Sequence, residues 1–290
     1  MRNLADIMHI HSKFNNLTRT DRGPHIPTES LVNSNVYLGI EVEAEFKNRY
    51  IPPFLSSPLV YSEHDGSLRN GSEYLFTRPL KGSCVTDALN GIGKIASMSE
   101  CVSTYRCSTH VHLNATDLTL RDIYHVLMVY ALVEPTLSRL YRETRQNNPF
   151  AFSMDSLLTS YFDVERLLKT AKAAANGGRR LALEEEACNS YAYFDKYSSL
   201  NLTSLSTYGS LEFRIFPFFK RNFFEKTLRC VNLILDIREV ALKYSSDELI
   251  TATYEMLSKY YAKLDIVKNE SAYQVLSYMY DNSTALLIDK

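Results

Sequence analysis

Three segments of the chain alternate apolar and polar residues with a period of two, the signature of a strand with one buried and one open face. In residues 36–46, VYLGIEVEAEF, Glu41, Glu43 and Glu45 fall on one face and Ile40, Val42, Ala44 and Phe46 on the other. In CSTHVHLN, residues 107–114, His110 and His112 oppose Val111 and Leu113. In SLEFRIFPF, Glu212 and Arg214 oppose Leu211, Phe213 and Ile215. Between the first two segments, residues 59–80 predict a hairpin with its turn at Asn70-Gly71. Pro52, Pro53 and Pro58 confine any earlier strand to a short or edge position. A further strand is predicted over SSLNLTSL, residues 198–205.

Helical spacing covers residues 83–100, weakened by Gly91 and Gly93. A long helix opens near Asp117 or Thr119 and runs to about 145, with further helical character to about 188, broken at Asn176-Gly177-Gly178. Beyond Pro217 the pattern is helical, in segments starting near Asn222, Ser246 and Glu270. Hairpins outnumber strand–helix–strand units, so the fold class is α+β with a mainly antiparallel sheet. The organisation reads as an N-terminal extension over 1–35, a core over 36–217 with a helical insertion at about 119–188, and C-terminal helices over 218–290 packed on that core.

Composition narrows the function. The 290 residues are 45% hydrophobic and carry a net charge of −1, enough apolar material for a large core and no basic excess to suggest nucleic acid. The five cysteines form no CxxC pair, which argues for reduced thiols rather than a disulfide framework or thiolate zinc site. Residues 1–20 hold no apolar stretch of signal-peptide length, and the longest apolar run, 123–133, falls far short of the ~20 residues a membrane helix needs. A soluble, cytoplasmic protein is expected, and oligomeric state is not legible.

If the three alternating strands join one sheet, their polar faces form a floor of carboxylates, imidazoles and a guanidinium, to which the hairpin adds Asp65 and Glu73. Such a cluster repels itself unless cations sit within it. Oxygen-rich donors suit Mg²⁺ or Mn²⁺ better than zinc, and the Arg suits a phosphate or carboxylate. Each motif alone has a plainer reading: ExE as a solvated face, ExR as a local ion pair, HxH as a surface pair. His9-Ile10-His11, in the polar extension, shows how little HxH means by itself.

The order of these motifs resembles the glutamine-synthetase-like superfamily, which includes the γ-glutamylcysteine ligases, and within it the small amidoligase family of phages, bacteria and fungi. The motifs that carry the resemblance are Gly39-Ile40-Glu41-Val42-Glu43, Asp65-Gly66-Ser67, Gly71-Ser72-Glu73, His110-Val111-His112, Leu200-Asn201-Leu202 and Glu212-Phe213-Arg214. Thr77-Arg78-Pro79-Leu80 departs from the family's pattern. The resemblance implies a sheet forming an active-site funnel and an ATP- and Mg²⁺-dependent ligase that joins a carboxylate to an amine through an acyl phosphate. It implies Glu43 and Glu73 on one metal ion, and Glu41, His110 and Glu212 on another. It places His112 at the ATP phosphates, Arg214 at the transferring phosphoryl group or the carboxylate substrate, and Asn201 on substrate or nucleotide. Substrates are small-molecule or peptide carboxylates and amines, and a phage-encoded enzyme would work in the host cytoplasm. GxxxxGK[ST] is absent, and Asn90-Gly91-Ile92-Gly93-Lys94 lacks that spacing. Two rival readings use the same residues: a metal-dependent hydrolase with a metal-bound hydroxide as nucleophile, and a non-catalytic protein of this fold.

Overall fold

A computed structural model describes residues 34–48, 50–141, 148–153 and 196–243. The helices expected over 155–188 and beyond 245, the N-terminal extension to residue 33 and Cys188 lie outside the described residues. In chain order the elements are β1 (Leu38–Phe46), β2 (Val60–Glu63), β3 (Gly71–Phe76), α1 (Ser83–Ala96), β4 (Cys101–Val102), β5 (Ser108–Asn114), α2 (Leu120–Leu140), β6 (Leu200–Asn201), α3 (Ser204–Tyr208), β7 (Ser210–Pro217) and α4 (Phe223–Lys243).

The strands form one seven-stranded sheet in the order β2-β3-β1-β5-β7-β6, with β4 on the end of β1. Every ladder is antiparallel. Together with the helices this is an α+β fold. The period-two pattern sorts the sheet's faces. Ile40, Val42, Ala44, Phe46, Val111, Leu113, Leu211, Phe213 and Ile215 are buried in a single core. Buried side chains of α1, α2 and α4 complete that core. The opposite face carries the ionisable residues.

Local chemistry explains the helix starts and stops. Thr119 caps α2 through a capping box, its hydroxyl accepting from Asp122 N at 3.2 Å while Asp122 Oδ2 accepts from Thr119 N at 2.9 Å. Gly209, at φ 68°, ends α3 in the left-handed conformation and lets the chain enter β7 at once. Gly91 and Gly93, poor for helix propensity, sit inside α1 facing Val60 and Phe223, where a Cβ would make only ordinary van der Waals contact, at 3.9 and 3.5 Å.

Three expectations change. The β2–β3 hairpin forms, but Asn70-Gly71 is not its turn. The connection runs from 64 to 70, and Asn70 instead donates its side-chain amide to the carbonyls of Phe46, Lys47 and Tyr50, tying the end of β1 to this loop. The strand expected over 198–205 is only Leu200–Asn201, because the chain turns into α3 at Ser204. The two-residue β4, too short to show a period, was not foreseen.

Gly71 is a close-approach position. A Cβ there would lie 2.4 Å from Ala44 O and 2.9 Å from Leu68 Cδ1. Gly71→Ala should therefore destabilise the protein by about 1–3 kcal/mol, the usual cost of overpacking. A urea denaturation midpoint lowered at unchanged slope is the expected result; an unchanged midpoint would mean that the β1–β3 edge opens freely.

Candidate active site

Strand pairing sets the polar face in rows. Glu63 on β2, Glu73 on β3 and Glu43 on β1 are successive Cα partners. The next row holds Tyr61, Leu75, Glu41 and His110. A third holds Gly39, His112, Glu212 and Asn201. Gly39 has no side chain to press on the imidazole beside it: a Cβ there would sit 3.2 Å from His112 Cβ. The register slips between Thr109 and Val111, which pair with Phe216 and Phe213, so His110 faces a bulge at Arg214–Ile215. Bulges of this kind re-aim side chains.

Glu41 is the hub. His110 Nδ1 lies 3.2 Å from Glu41 Oε2 and 3.3 Å from Glu212 Oε1. His112 Nε2 lies 3.0 Å from Glu41 Oε1, and His112 Nδ1 lies 3.1 Å from Ser210 Oγ. Arg214 Nη1 donates to Glu212 Oε1 at 2.5 Å, and Arg214 Nε donates to Phe150 O at 3.3 Å. The other Glu212 oxygen accepts from Asn201 Nδ2 at 2.6 Å and from Ser204 Oγ at 3.0 Å. His110, His112, Asn201, Glu43 and Glu212 are all buried.

The electrostatics follow from this crowding. Burial alone would raise the pKa of Glu41, but His112 and His110 outweigh it and hold the carboxylate well below its ordinary value. Burial likewise opposes the charges of Glu212 and Arg214. The His112, Arg214 and His110 charges win at Glu212, lowering its pKa, and Glu212, Glu43 and Glu41 raise that of Arg214. Burial would lower the pKa of His112, yet Glu41 raises it. Glu73 has no such compensation: burial, then the charges of Glu41 and Glu43, push its pKa up to about 10. Burial and the neighbouring carboxylates also raise Tyr61, on β2, and Tyr208, which meets the His112 ring edge-on at 6.1 Å.

Two groups of side chains present ligand atoms all within 4.8 Å of one another: Glu41, Glu73 and His110, and Glu41, His112 and Glu212. The donors are mostly carboxylate oxygens, which fit a hard divalent cation such as Mg²⁺ or Mn²⁺. Glu73, whose charge burial and the Glu41 and Glu43 carboxylates oppose, is the group that added positive charge would relieve most. The sets differ from the pairing the resemblance implies. Glu43, implied beside Glu73 on one ion, instead accepts a hydrogen bond from Ser108, and is in neither set. His112, implied at the nucleotide phosphates, is in the second.

The remaining residues of the face have other roles. Glu45, third of the alternating acids, accepts from Arg69 N at 2.8 Å and so supports the β2–β3 loop. Asp65 caps that loop, accepting from Ser67 N at 2.7 Å and Ser67 Oγ at 2.8 Å. Arg78 is half-buried on the segment leaving β3. Cys101, Cys107 and Cys230 are buried free thiols and Cys84 is an exposed one; burial pushes Cys101 and Cys230 up to about 12, which makes them poor nucleophiles. Sequence reasoning missed Ser108, Ser204, Ser210, Tyr61 and Glu63. Extending the period of two backwards from His110 and Glu212 would have found Ser108 and Ser210.

Metal binding should carry a proton signature. A cation held by Glu73 must displace its proton, so affinity for Mg²⁺ or Mn²⁺ should rise with pH up to the pKa of about 10. Calorimetric titration at neutral pH in buffers of different ionisation enthalpy should show release of about one proton per bound ion. Heats independent of buffer would contradict it.

Residues 85–218, under half of the chain, match the model of a family described as "Putative amidoligase enzyme". That stretch is similar to amidoligases, and it runs from α1 to just past β7, with His110, His112, Asn201, Glu212 and Arg214 inside it. Glu41, Glu43 and Glu73 precede the match. No curated protein matches the chain. Among the described residues no helix is long and apolar enough to cross a membrane.

Proposed function

We propose that the polar face of this sheet is the active site of an ATP- and Mg²⁺-dependent ligase that joins a carboxylate to an amine, on a glutamine-synthetase-like fold. The amidoligase match to residues 85–218 supports amide-bond formation. The observation that carries the mechanism is the pair of donor sets sharing Glu41, with Arg214 held against one of them. Bound divalent ions would offset the charge of phosphate oxygens during phosphoryl transfer.

The chain's own groups account for the rest. Glu41, Glu73 and His110 would hold one ion, and Glu41, His112 and Glu212 a second. Glu212 is oriented by Asn201 and Ser204, so its remaining oxygen is fixed toward Arg214 and His110. Arg214 is gripped at Nε by Phe150 O and at Nη1 by Glu212, which presets a guanidinium for the transferring phosphoryl group or the carboxylate. In the reaction, a carboxylate oxygen attacks the γ-phosphorus of ATP, the bond to the β–γ bridging oxygen breaks, and ADP leaves. The amine then attacks the acyl carbon, phosphate leaves, and the amine's surplus proton is lost to solvent. No step requires a covalent bond to the protein.

The acyl phosphate can be trapped without knowing the amine. Incubating the protein with MgATP, hydroxylamine and a panel of carboxylic acids, peptides included, should yield a hydroxamate and an equal amount of ADP for the true acid. ADP released equally with and without any acid would point to hydrolysis and against the ligase.

A further inference from the structure

The polar face is not uniform along the sheet. At the β7 end it offers Arg214, suited to phosphate or carboxylate. At the β2 edge it offers groups that neither donor set uses. Tyr61 and Glu63 alternate with buried Val60 and Ser62, so both side chains stand on the polar face. Glu63 is exposed and its Cα partner is Glu73; Tyr61 is paired with Leu75. Leu75 is the one aliphatic side chain in the three rows of this face described above. It alternates with buried Tyr74 and Phe76 and is itself half-buried. Tyr208 enters from α3 and meets the His112 ring edge-on at 6.1 Å. Asp65, on the loop that follows β2, is occupied by Ser67 of its own loop.

We propose that this edge binds the amine substrate of the ligase reading, as an ammonium group carried on an apolar stem. Tyrosine faces attract a cation through the ring quadrupole, and an adjacent carboxylate adds a direct charge partner. Hard metal ions do not take methyl groups as ligands, so Leu75 has no place in a third metal site. Leu75 and the Tyr61 ring give apolar contact that free ammonia cannot use, whereas the methylenes of an alkylamine or a lysine-like side chain can.

The test is binding of n-pentylamine to the full chain, followed by saturation-transfer NMR, with n-pentanol and ammonium chloride as the uncharged and stemless probes. Pentylamine should bind and pentanol should not, and ammonium should not displace pentylamine at equal concentration. Glu63→Gln and Tyr61→Leu should each weaken binding by about tenfold, the scale of a lost charge partner or cation–π contact. Tyr61→Phe, which keeps the ring, should bind as the unmodified protein does. Equal binding of pentanol, or undiminished binding in Glu63→Gln and Tyr61→Leu, would overturn the proposal. The Mg²⁺- and ATP-dependent rise in melting temperature, measured on the same samples, separates the two claims. A rise without amine binding overturns the amine site alone. Amine binding lost in Glu63→Gln, with no such rise, overturns the ATP-dependent ligase and leaves an ammonium site.

Discussion

Glu41→Gln should lower ATP turnover by about 10²–10³-fold while the protein still unfolds cooperatively. Glu41 is the residue common to both donor sets, and its two oxygens separately face His110 and His112. The amide keeps the size and one acceptor but loses the negative charge that a cation needs. Fold should survive, because the apolar side of β1 is untouched and removal of one carboxylate relieves repulsion on Glu73. Glu45→Gln is the matched control. It lies on the same strand face, yet its contact is the Arg69 amide, which a glutamine oxygen can still satisfy. Turnover retained in Glu41→Gln, or lost equally in Glu45→Gln, would contradict the site.

Glu73→Gln should have opposite effects on stability and on metal binding. A carboxyl whose folded pKa is about 10 binds a proton in the folded state through a range where the unfolded chain, near its ordinary 4.5, has released it. Folding is therefore opposed increasingly as pH rises above 4.5, until the folded group itself ionises near 10. Glutamine removes this cost. The metal-free variant should be more stable at pH 8 by on the order of 1–3 kcal/mol, a shift of several degrees in Tm, with a smaller gain at pH 5. In return it should lose most of the stabilisation that Mg²⁺ or Mn²⁺ gives, since that ion set loses a charged donor. Thermal melts at the two pH values, with and without metal, read both effects. A variant less stable than the parent at pH 8 without metal would show that Glu73 is not repelled.

Much of this site was legible because strands have a period of two. Glu41, Glu43, His110, His112, Glu212 and Arg214 each follow from apolar neighbours at odd spacing, and the structure brings them onto one face. Glu73 came from the predicted hairpin and Asn201 from the order of motifs, neither from periodicity. What sequence could not give was the pairing across strands. Glu41 meets His110, and His112 meets Glu212, only because β1, β5 and β7 adopt this register, with a bulge beside Arg214. That register decides which acids lie close enough to share an ion, and Glu43, which the resemblance pairs with Glu73, is in neither of the two donor sets. Local signals also misled where tertiary contacts outweighed them. Asn70-Gly71 has the residues of a two-residue turn, yet the Asn70 amide is taken by three carbonyls of the chain leaving β1, and Gly71 is required by the closeness of Ala44. The run over 198–205 alternates well enough for a strand, but at Ser204 the chain enters the helix α3, which puts Ser204 on Glu212 and Tyr208 beside His112.

The central claim is that the polar face holds nucleotide through divalent metal. It is tested most directly by the melting temperature with MgCl₂ alone, ATP alone and both, on the unmodified protein and on Glu41→Gln. A ligand that binds only the folded state raises Tm according to its saturation. The rise should be largest with Mg²⁺ and ATP together, exceed the sum of the separate rises, and vanish in Glu41→Gln. A rise with MgCl₂ that ATP does not increase, or one that persists in Glu41→Gln, would contradict it.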